Sequence, residues 1–463
     1  MNGWPQELHV SCCGMRAVGL GLRAILTALL LLPLPGLVSA VSIDVEGEWR
    51  ELPSSTREFA FARRHLHQEF DGYGPTEVFA DAFGVVALSH FAAGLMNVYV
   101  AEPARRDEVL ELLDEVVRRA KSPRVAPSAL ADHRPVDALV RLDDHNLYFS
   151  HLAVILGVRR LVGCDDARRD RSCTVDPRED ALQSRLVNHL RERTLASPLH
   201  HAPSYPDSDM WPADQSVTLL AFRLYDEAFG THLLDEPLAG YLATMEEHTD
   251  PTTQLFHSAV IDPTTPSLSV AADYATTPRG CAASWTQLYL GQVAPEVARA
   301  QYTHYRAHMS ADVLGFGGFR EWPSERARGM DADSGPIVFG VGMAATGLGL
   351  GPARLFGDAD RYATIRRTAL TFGVPSWIPS HGHVTAPLLG EAILFHGRTA
   401  RPWFAAPPAA RAPRASSFSF ASLALLVVYA TLASLGMRRL WRGQRLTRSP
   451  SSASRAATEG SSK

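Results

Sequence analysis

Two stretches of this sequence place carboxylates beside proline-marked helix starts. SYPDSDMWPADQS (204–216) holds Asp207, Asp209 and Asp214 around Pro212, and DADSGPIVFGVGMAATGLGLG (331–351) holds Asp331 and Asp333 ahead of Pro336. Proline suits the first helical position, and an acid in the first turn favours the helix dipole, so each aspartate taken alone reads equally as a routine cap. Their company points further. Tyr205, Trp211, Trp285, Glu321, Trp322 and His383 are aromatic or ionisable groups in loops between apolar helices, and Arg279 stands near them in the chain. Carboxylates crowded into an apolar, aromatic-lined pocket have their pKa values pushed apart, which leaves one acid and one base. That is cofactor-free acid–base chemistry. The expectation is that Asp209 or Asp214 faces Asp331 or Asp333, with Tyr205 or His383 as partner. Trp211, Trp285, Glu321, Trp322 and Arg279 are then expected around the substrate.

The elements that must position these groups read as helices. The stretch 76–100 is mostly apolar and too long for a strand, and 105–121 carries a one-sided stripe of Val109, Leu112, Leu113, Val116 and Val117. Further helical patterns cover 145–163, 179–196, 213–230, 236–248, 284–293, 295–309 and 358–373. Inner helices that are apolar nearly all round alternate with more polar ones, which predicts an all-α fold, an (α/α) toroid of paired helices with long loops at one mouth. A helical solenoid is the alternative, but no fixed repeat period is visible.

The glycines of 331–351 also invite comparison with a dinucleotide-binding turn. Gly340, Gly342 and Ala345 fit that turn loosely, but LGLGPARLFGD does not read as the second strand the site needs. The segment is instead expected to be one tightly packed inner helix from Pro336, with Gly340, Ala344, Gly347 and Gly351 on one face. No nucleotide and no cofactor is expected. A net charge of -4 over 463 residues leaves no nucleic-acid footprint.

Both ends address a membrane. Residues 1–40 read as a signal peptide, with Arg16 and Arg23, an apolar run and the small-residue site Val38-Ser39-Ala40; translation from Met15 would give a more ordinary leader. An uncleaved signal anchor is the other reading. Residues 417–437 are uncharged and long enough to span a bilayer, and the run RRLWRGQRLTR after them marks the 438–463 tail as cytoplasmic. The body, 41–405, is then extracytoplasmic, tied through a Pro/Ala-rich tether, 406–416. In that compartment Cys164 and Cys173 are expected to form a disulfide, Cys281 to be a small core residue, and no Cys/His spacing suggests a metal.

The order SYP…WPADQS, RGCAASW (279–285), FREWPSE (319–325) and DADSGPIVFGVGMAATG resembles the α/α-toroid proteins related to linalool dehydratase-isomerase, over roughly 60–400. The resemblance implies a cofactor-independent lyase or isomerase of a small alcohol, with acid–base groups and cysteines at the mouth. Cys164, Cys173 and Cys281 are the candidates for such cysteines. A carbohydrate-active enzyme or glycan-binding protein, and a non-catalytic structural module, are the other function classes. The oligomeric state is not readable.

Overall fold

The computed structural model describes residues 12–78, 82–127, 136–139, 141–164, 173–206, 209–262, 271–313, 316–331, 333–405 and 418–442. The expected tether, Asp207, and the tail beyond 442 lie outside the described residues. The chain is all-α in character. Its helices are α1 (Cys12–Leu31), α2 (Leu34–Val41), α3 (Val45–Arg50), α4 (Arg57–Leu66), α5 (Pro75–Val78), α6 (Phe83–Ala101), α7 (Arg106–Ala120), α8 (Asn146–Gly163) and α9 (Pro177–Ala196). They continue with α10 (Pro212–Phe229), α11 (Asp235–Glu247), α12 (Ala272–Ala275), α13 (Gly280–Leu290), α14 (Pro295–Met309), α15 (Met343–Leu355), α16 (Ala359–Phe372), α17 (Leu388–Thr399) and α18 (Phe420–Arg442). Among the described residues the strands form two antiparallel pairs, β1 (Ser310–Val313) with β2 (Phe316–Phe319), and β3 (Ile337–Val338) with β4 (Val341–Gly342).

Local chemistry sets the helix limits. Pro212 opens α10, and Gly230, left-handed at φ 66°, closes it. Asp176 caps α9 through the Arg178 amide, and Asp358 caps α16 through the Arg361 amide. Helix α7 buries the expected stripe, while α6 is buried continuously from Gly84 to Val98. A helix without a polar face must be covered on every side. That requirement explains the packing order. Helix α6 packs on α8, α8 on α10, α10 on α13, α13 on α15, α15 on α17, and α17 back on α6, so the cycle closes. Helices α7, α9, α14, α16 and α4 lie against this cycle from α8, α10, α13, α15 and α17, and α11 covers α9 and α10.

The seams of the cycle depend on missing side chains. A Cβ on Gly94 of α6 would stand 2.4 Å from Phe395 Cδ1 on α17. Phe395 is wholly buried against Phe59 and has nowhere to retreat. Gly94→Ala gains about 1 kcal/mol of helix propensity but overpacks a closed seam, which costs about 1–3 kcal/mol. The variant is expected to melt below the wild type in detergent; an unchanged or raised melting temperature would show that the seam gives way.

Three features depart from expectation. Helix α15 begins at Met343, not at Pro336. Pro336 leads instead into the β3–β4 hairpin, whose turn holds Phe339 and Gly340 at φ 51° and 80°. Those left-handed residues cannot continue a helix, so Gly340 leaves the small-residue face, and Ala344, Gly347 and Gly351 keep it. Helices α4 and α17 were not anticipated: α17 buries Glu391, His396 and Arg398 among its apolar residues, and the short α4 buries Glu58 beside Phe59, Ala62 and Leu66.

The third departure concerns apolar helices. Among the described residues three helices, not one, are long and apolar enough to cross a membrane: Leu20–Val41, Phe83–Ala101 and Phe420–Trp441. Phe83–Ala101 is α6, buried within the cycle, whereas the other two are largely exposed. Ala40, the expected cleavage position, is buried in α2, and its carbonyl accepts a bond from Arg367 Nε at 3.1 Å. Cys164 and Cys173 are joined as a disulfide.

Candidate functional site

Arg279 stands at the N-cap of α13 with only 2% of its side chain exposed, and it gathers the acids. Its Nε donates to Glu321 Oε1 at 3.1 Å and its Nη2 to Asp331 Oδ1 at 2.7 Å, while Nη1 lies 3.6 Å from Asp333 Oδ2. Tyr274 is held in the same group by the Arg279 guanidinium and donates to Asp331 Oδ2 at 2.9 Å. The guanidinium also lies over the Trp322 ring at 5.1 Å. Glu321, following β2, is wholly buried, and Cys281 Sγ donates to its Oε1 at 3.0 Å. Burial, and then the Glu321 charge, push the Cys281 thiol well up, so it is a hydrogen-bond donor and not a thiolate nucleophile.

The start of α10 closes on this cluster. Asp214, in its first turn, accepts a bond from Ser204 Oγ at 2.5 Å. Burial first, and then the charge of Asp333, push its carboxyl up to about 7, against the Ser204 bond. The helix dipole and that bond both favour the anion, so the shift records how deeply the group is enclosed. Asp214 keeps partial accessible surface all the same. Tyr205 is raised by burial, then by Asp214 and Asp333, so these three groups sense one another. The other acids separate. Asp331 falls below the usual range because Arg279 and the Ser334 amide outweigh its burial, whereas Asp333 is raised by burial and by the Asp331 charge despite Arg279. Asp214, raised to about 7, is the carboxyl held towards the protonated form, while Asp331 stays an anion and Asp333 is shifted less, beside the Arg279 guanidinium; acid–base work requires such a division.

The sequence-derived residues divide accordingly. Asp214, Tyr205, Asp331, Asp333, Arg279 and Glu321 come together. Asp209 is buried just before the Met210–Val260 bridge. Trp211 meets Tyr274 edge-on at 6.4 Å. Trp322 is buried, with the Arg279 and Arg328 guanidinium groups over its ring, so it is an arginine platform and not a free stacking surface. His383 belongs elsewhere: its Nδ1 lies 3.1 Å from Glu391 Oε1, in the charged network beside Glu58. Trp285 is not in a loop but inside α13, facing a second group of residues.

That second group was missed. His90 of α6, His151 of α8, Tyr289 of α13 and His396 of α17 are fully buried around Trp285. His90 Nδ1 and His396 Nδ1 share a 2.9 Å contact. Burial pushes His151 and His396 down to about 3, so these imidazoles are neutral. His90 Nε2, both ring nitrogens of His151 and Trp285 Nε1 have no hydrogen-bond partner among the described residues. An unsatisfied buried polar group costs about 1–3 kcal/mol, so this concentration is expensive. Burial first, and then the Asp214 charge, raise the Tyr289 phenol against a bond with Ser89, so this cluster lies within electrostatic reach of Asp214. The readable signal was the Ser-His pair within apolar runs, LSHFAAG and FSHLAVI; a lone histidine on an apolar face is ordinarily a satisfied core residue.

Among the described residues no group of three or more His, Cys, Asp or Glu is arranged to hold a metal. No family model matches the chain, and no match is found among curated proteins.

Proposed function

We propose that this chain is a membrane-anchored enzyme of the acid–base type, a lyase or isomerase of a small alcohol, built as an (α/α) toroid with its active site in the lumen. The observation that carries the reading is the buried Arg279 with Glu321, Asp331 and Asp333 on one guanidinium, and with Asp214 raised to about 7 by burial and by the Asp333 charge. The closed packing cycle α6–α8–α10–α13–α15–α17 supports the toroid. The resemblance to proteins related to linalool dehydratase-isomerase points the same way. The basic run after α18 supports a cytoplasmic tail and an extracytoplasmic body.

In this reading the substrate hydroxyl lies against Asp214. The protonated carboxyl gives its proton to the departing oxygen, the C–O bond breaks, and water leaves. Asp333 takes a proton from the neighbouring carbon, whose C–H electrons form the new double bond. Passing that proton from Asp333 back to Asp214 resets the pair, and re-addition of water at another carbon gives isomerisation. His90, His151 and Trp285 supply neutral hydrogen-bonding groups, which suit an uncharged, oxygen-bearing molecule. The test incubates the full-length protein, in detergent or vesicles, with a panel of allylic and tertiary alcohols and follows alkene or isomer formation by gas chromatography. Product from wild type and none from Asp214→Asn supports the reading. No product from any alcohol, with turnover of an oligosaccharide panel instead, would replace it with the carbohydrate-active alternative.

The chamber makes its own prediction. His151→Phe removes two orphaned nitrogens, each costing about 1–3 kcal/mol, while filling the same space. The variant should melt at or above the wild-type temperature and lose affinity for substrate. A large loss of stability would mean that His151 is a core residue and the chamber is not a site.

A further inference from the structure

We propose that residues 20–41 stay on the mature protein as a second membrane span, packed antiparallel against α18, so that the body is held by a helical hairpin whose two ends lie on the same side. Named contacts tie the two helices together from Val41 back to Thr27. Ser419 N donates to Val41 O at 2.8 Å where the hairpin meets the body. Further along, Tyr429 OH donates to Leu30 O at 3.0 Å, and Trp441 Nε1 donates to Thr27 Oγ1 at 3.2 Å. Thr27, one turn before the end of α1, therefore meets the C-terminal end of α18, and Arg23, whose carbonyl accepts the Thr27 hydroxyl, lies one turn beyond that contact. Arg16 and Arg23 precede or begin one apolar run, and Arg438 and Arg439 end the other, so the positive charge gathers at one end. Two spans with cytoplasmic basic ends satisfy the positive-inside rule together.

The length suits the role. Each apolar stretch is 22 residues, which at about 1.5 Å per residue covers a hydrocarbon core of ~30 Å. Their outward faces are apolar and uncovered: Ile25 and Leu29 on one, Val428 and Leu432 on the other, are each more than half exposed. Lipid is the occupant such a surface fits.

Cleavage near Ala40 would cut a part of the fold. Helix α2 packs on both α16 and α18, and a Cβ on Gly36 would stand 2.1 Å from the Leu370 carbonyl oxygen. Ala40, Ile43 and Val45 belong to one apolar cluster with Tyr362 and Ile365 of α16. The loop that follows α16 also touches Gly36 through Pro375, and it exposes Phe372, Trp377 and Ile378. An aromatic, apolar loop beside the outer end of the hairpin is placed as an interfacial anchor is.

The test expresses the full chain in a Gram-negative host, beside a precursor known to be cleaved there, and reads the intact mass and N-terminal sequence of the membrane-extracted protein. The expected N-terminus is at or before Met15. An N-terminus at Val41 would overturn the proposal. A second measurement tests the pairing. With Cys12 and Cys13 changed to Ser, Thr27→Cys together with Trp441→Cys should crosslink on oxidation in the membrane, and Leu22→Cys with Trp441→Cys should not. After a protease cuts the body, the crosslinked fragments should separate only with reductant. A retained N-terminus without crosslinking would refute the hairpin.

Discussion

Asp214→Asn should produce a protein that melts higher than the wild type at about pH 8, equals it near pH 4, and turns nothing over. The sign follows from the shift. The folded-state pKa is raised from an ordinary 3.8 to about 7, so the native state prefers the protonated acid. The stability that this proton contributes is complete below the unfolded value and is lost as pH rises through the folded one. Above about pH 7 the wild type therefore carries a buried charge at a cost of up to about 4 kcal/mol on the usual 1.36 kcal/mol per pKa unit, less to the extent that water reaches the partly exposed side chain. Asparagine keeps the size, the partner for Ser204 and the helix position, but never ionises. Thermal unfolding of both proteins across pH 4 to 8 (about five points suffices) measures the divergence directly and needs no substrate. Parallel melting curves at every pH would show an ordinary carboxylate, and with it the proposed acid would be lost. A structural cap predicts the opposite sign, because removing a helix-start anion costs about 0.3–1 kcal/mol.

How much of this site could be read before the fold was known depends on what each residue does with its neighbours in sequence. Asp214 was legible because it sits beside a local helix-start signal, Pro212; Asp331 and Asp333 were singled out by the same signal at Pro336, which opens a hairpin and not a helix. Their gathering point, Arg279, was visible only as a substrate-binding candidate, since nothing in RGCAASW says that the guanidinium will be buried among three carboxylates that arrive from 40 residues and more away. The histidine chamber was not legible, because each of its members looks like an isolated polar intrusion into an apolar helix, and only the closing of the helix cycle brings α6, α8, α13 and α17 to one point. His383 failed in the opposite way. Its local setting, PSHGHV, resembles a site loop, but an acid eight residues later, Glu391, takes the side chain into a charge network. Most of the long helices were placed within two residues of their ends, but 76–100 was read as one helix where α6 begins at Phe83, and 284–293 missed the first turn of α13. The misplaced start of α15 came from reading Pro336 as a helix opener while Gly335, Gly340 and the β-branched pair Ile337-Val338 favoured a hairpin.

The same network supplies the largest stability effect. Glu58 of α4 is buried, with Oε2 receiving Arg398 Nη1 at 2.5 Å and Oε1 lying 3.5 Å from Arg366 Nη1. Arg366 also holds Glu48 through Nε at 3.0 Å and Nη2 at 3.2 Å, and Arg398 holds Glu51 at 2.5 Å. Helices α3, α4, α16 and α17 are thus joined by charges that have left water. Such a cluster gives little net stability when complete, but removing one member strands its partners, at about 3–5 kcal/mol. Glu58→Gln should therefore destabilise by that amount near neutral pH. Replacing the pair, Glu58→Leu with Arg398→Met, should recover part of the loss, because the second change removes the stranded charge; the residual deficit reports Arg366. The pH dependence identifies the cause. Burial alone would raise the Glu58 carboxyl, but Arg398, Arg366 and then His383 overcome it and hold it at about 2. A depressed pKa contributes stability that is present above the unfolded value, near 4.5, and that is lost as pH falls towards 2. The wild type should therefore lose roughly 3 kcal/mol across that acid window through this group alone, and Glu58→Gln should lose that much less over the same range. An acid limb of equal steepness in both proteins would place the acid-sensitive charge somewhere other than between α4 and α17.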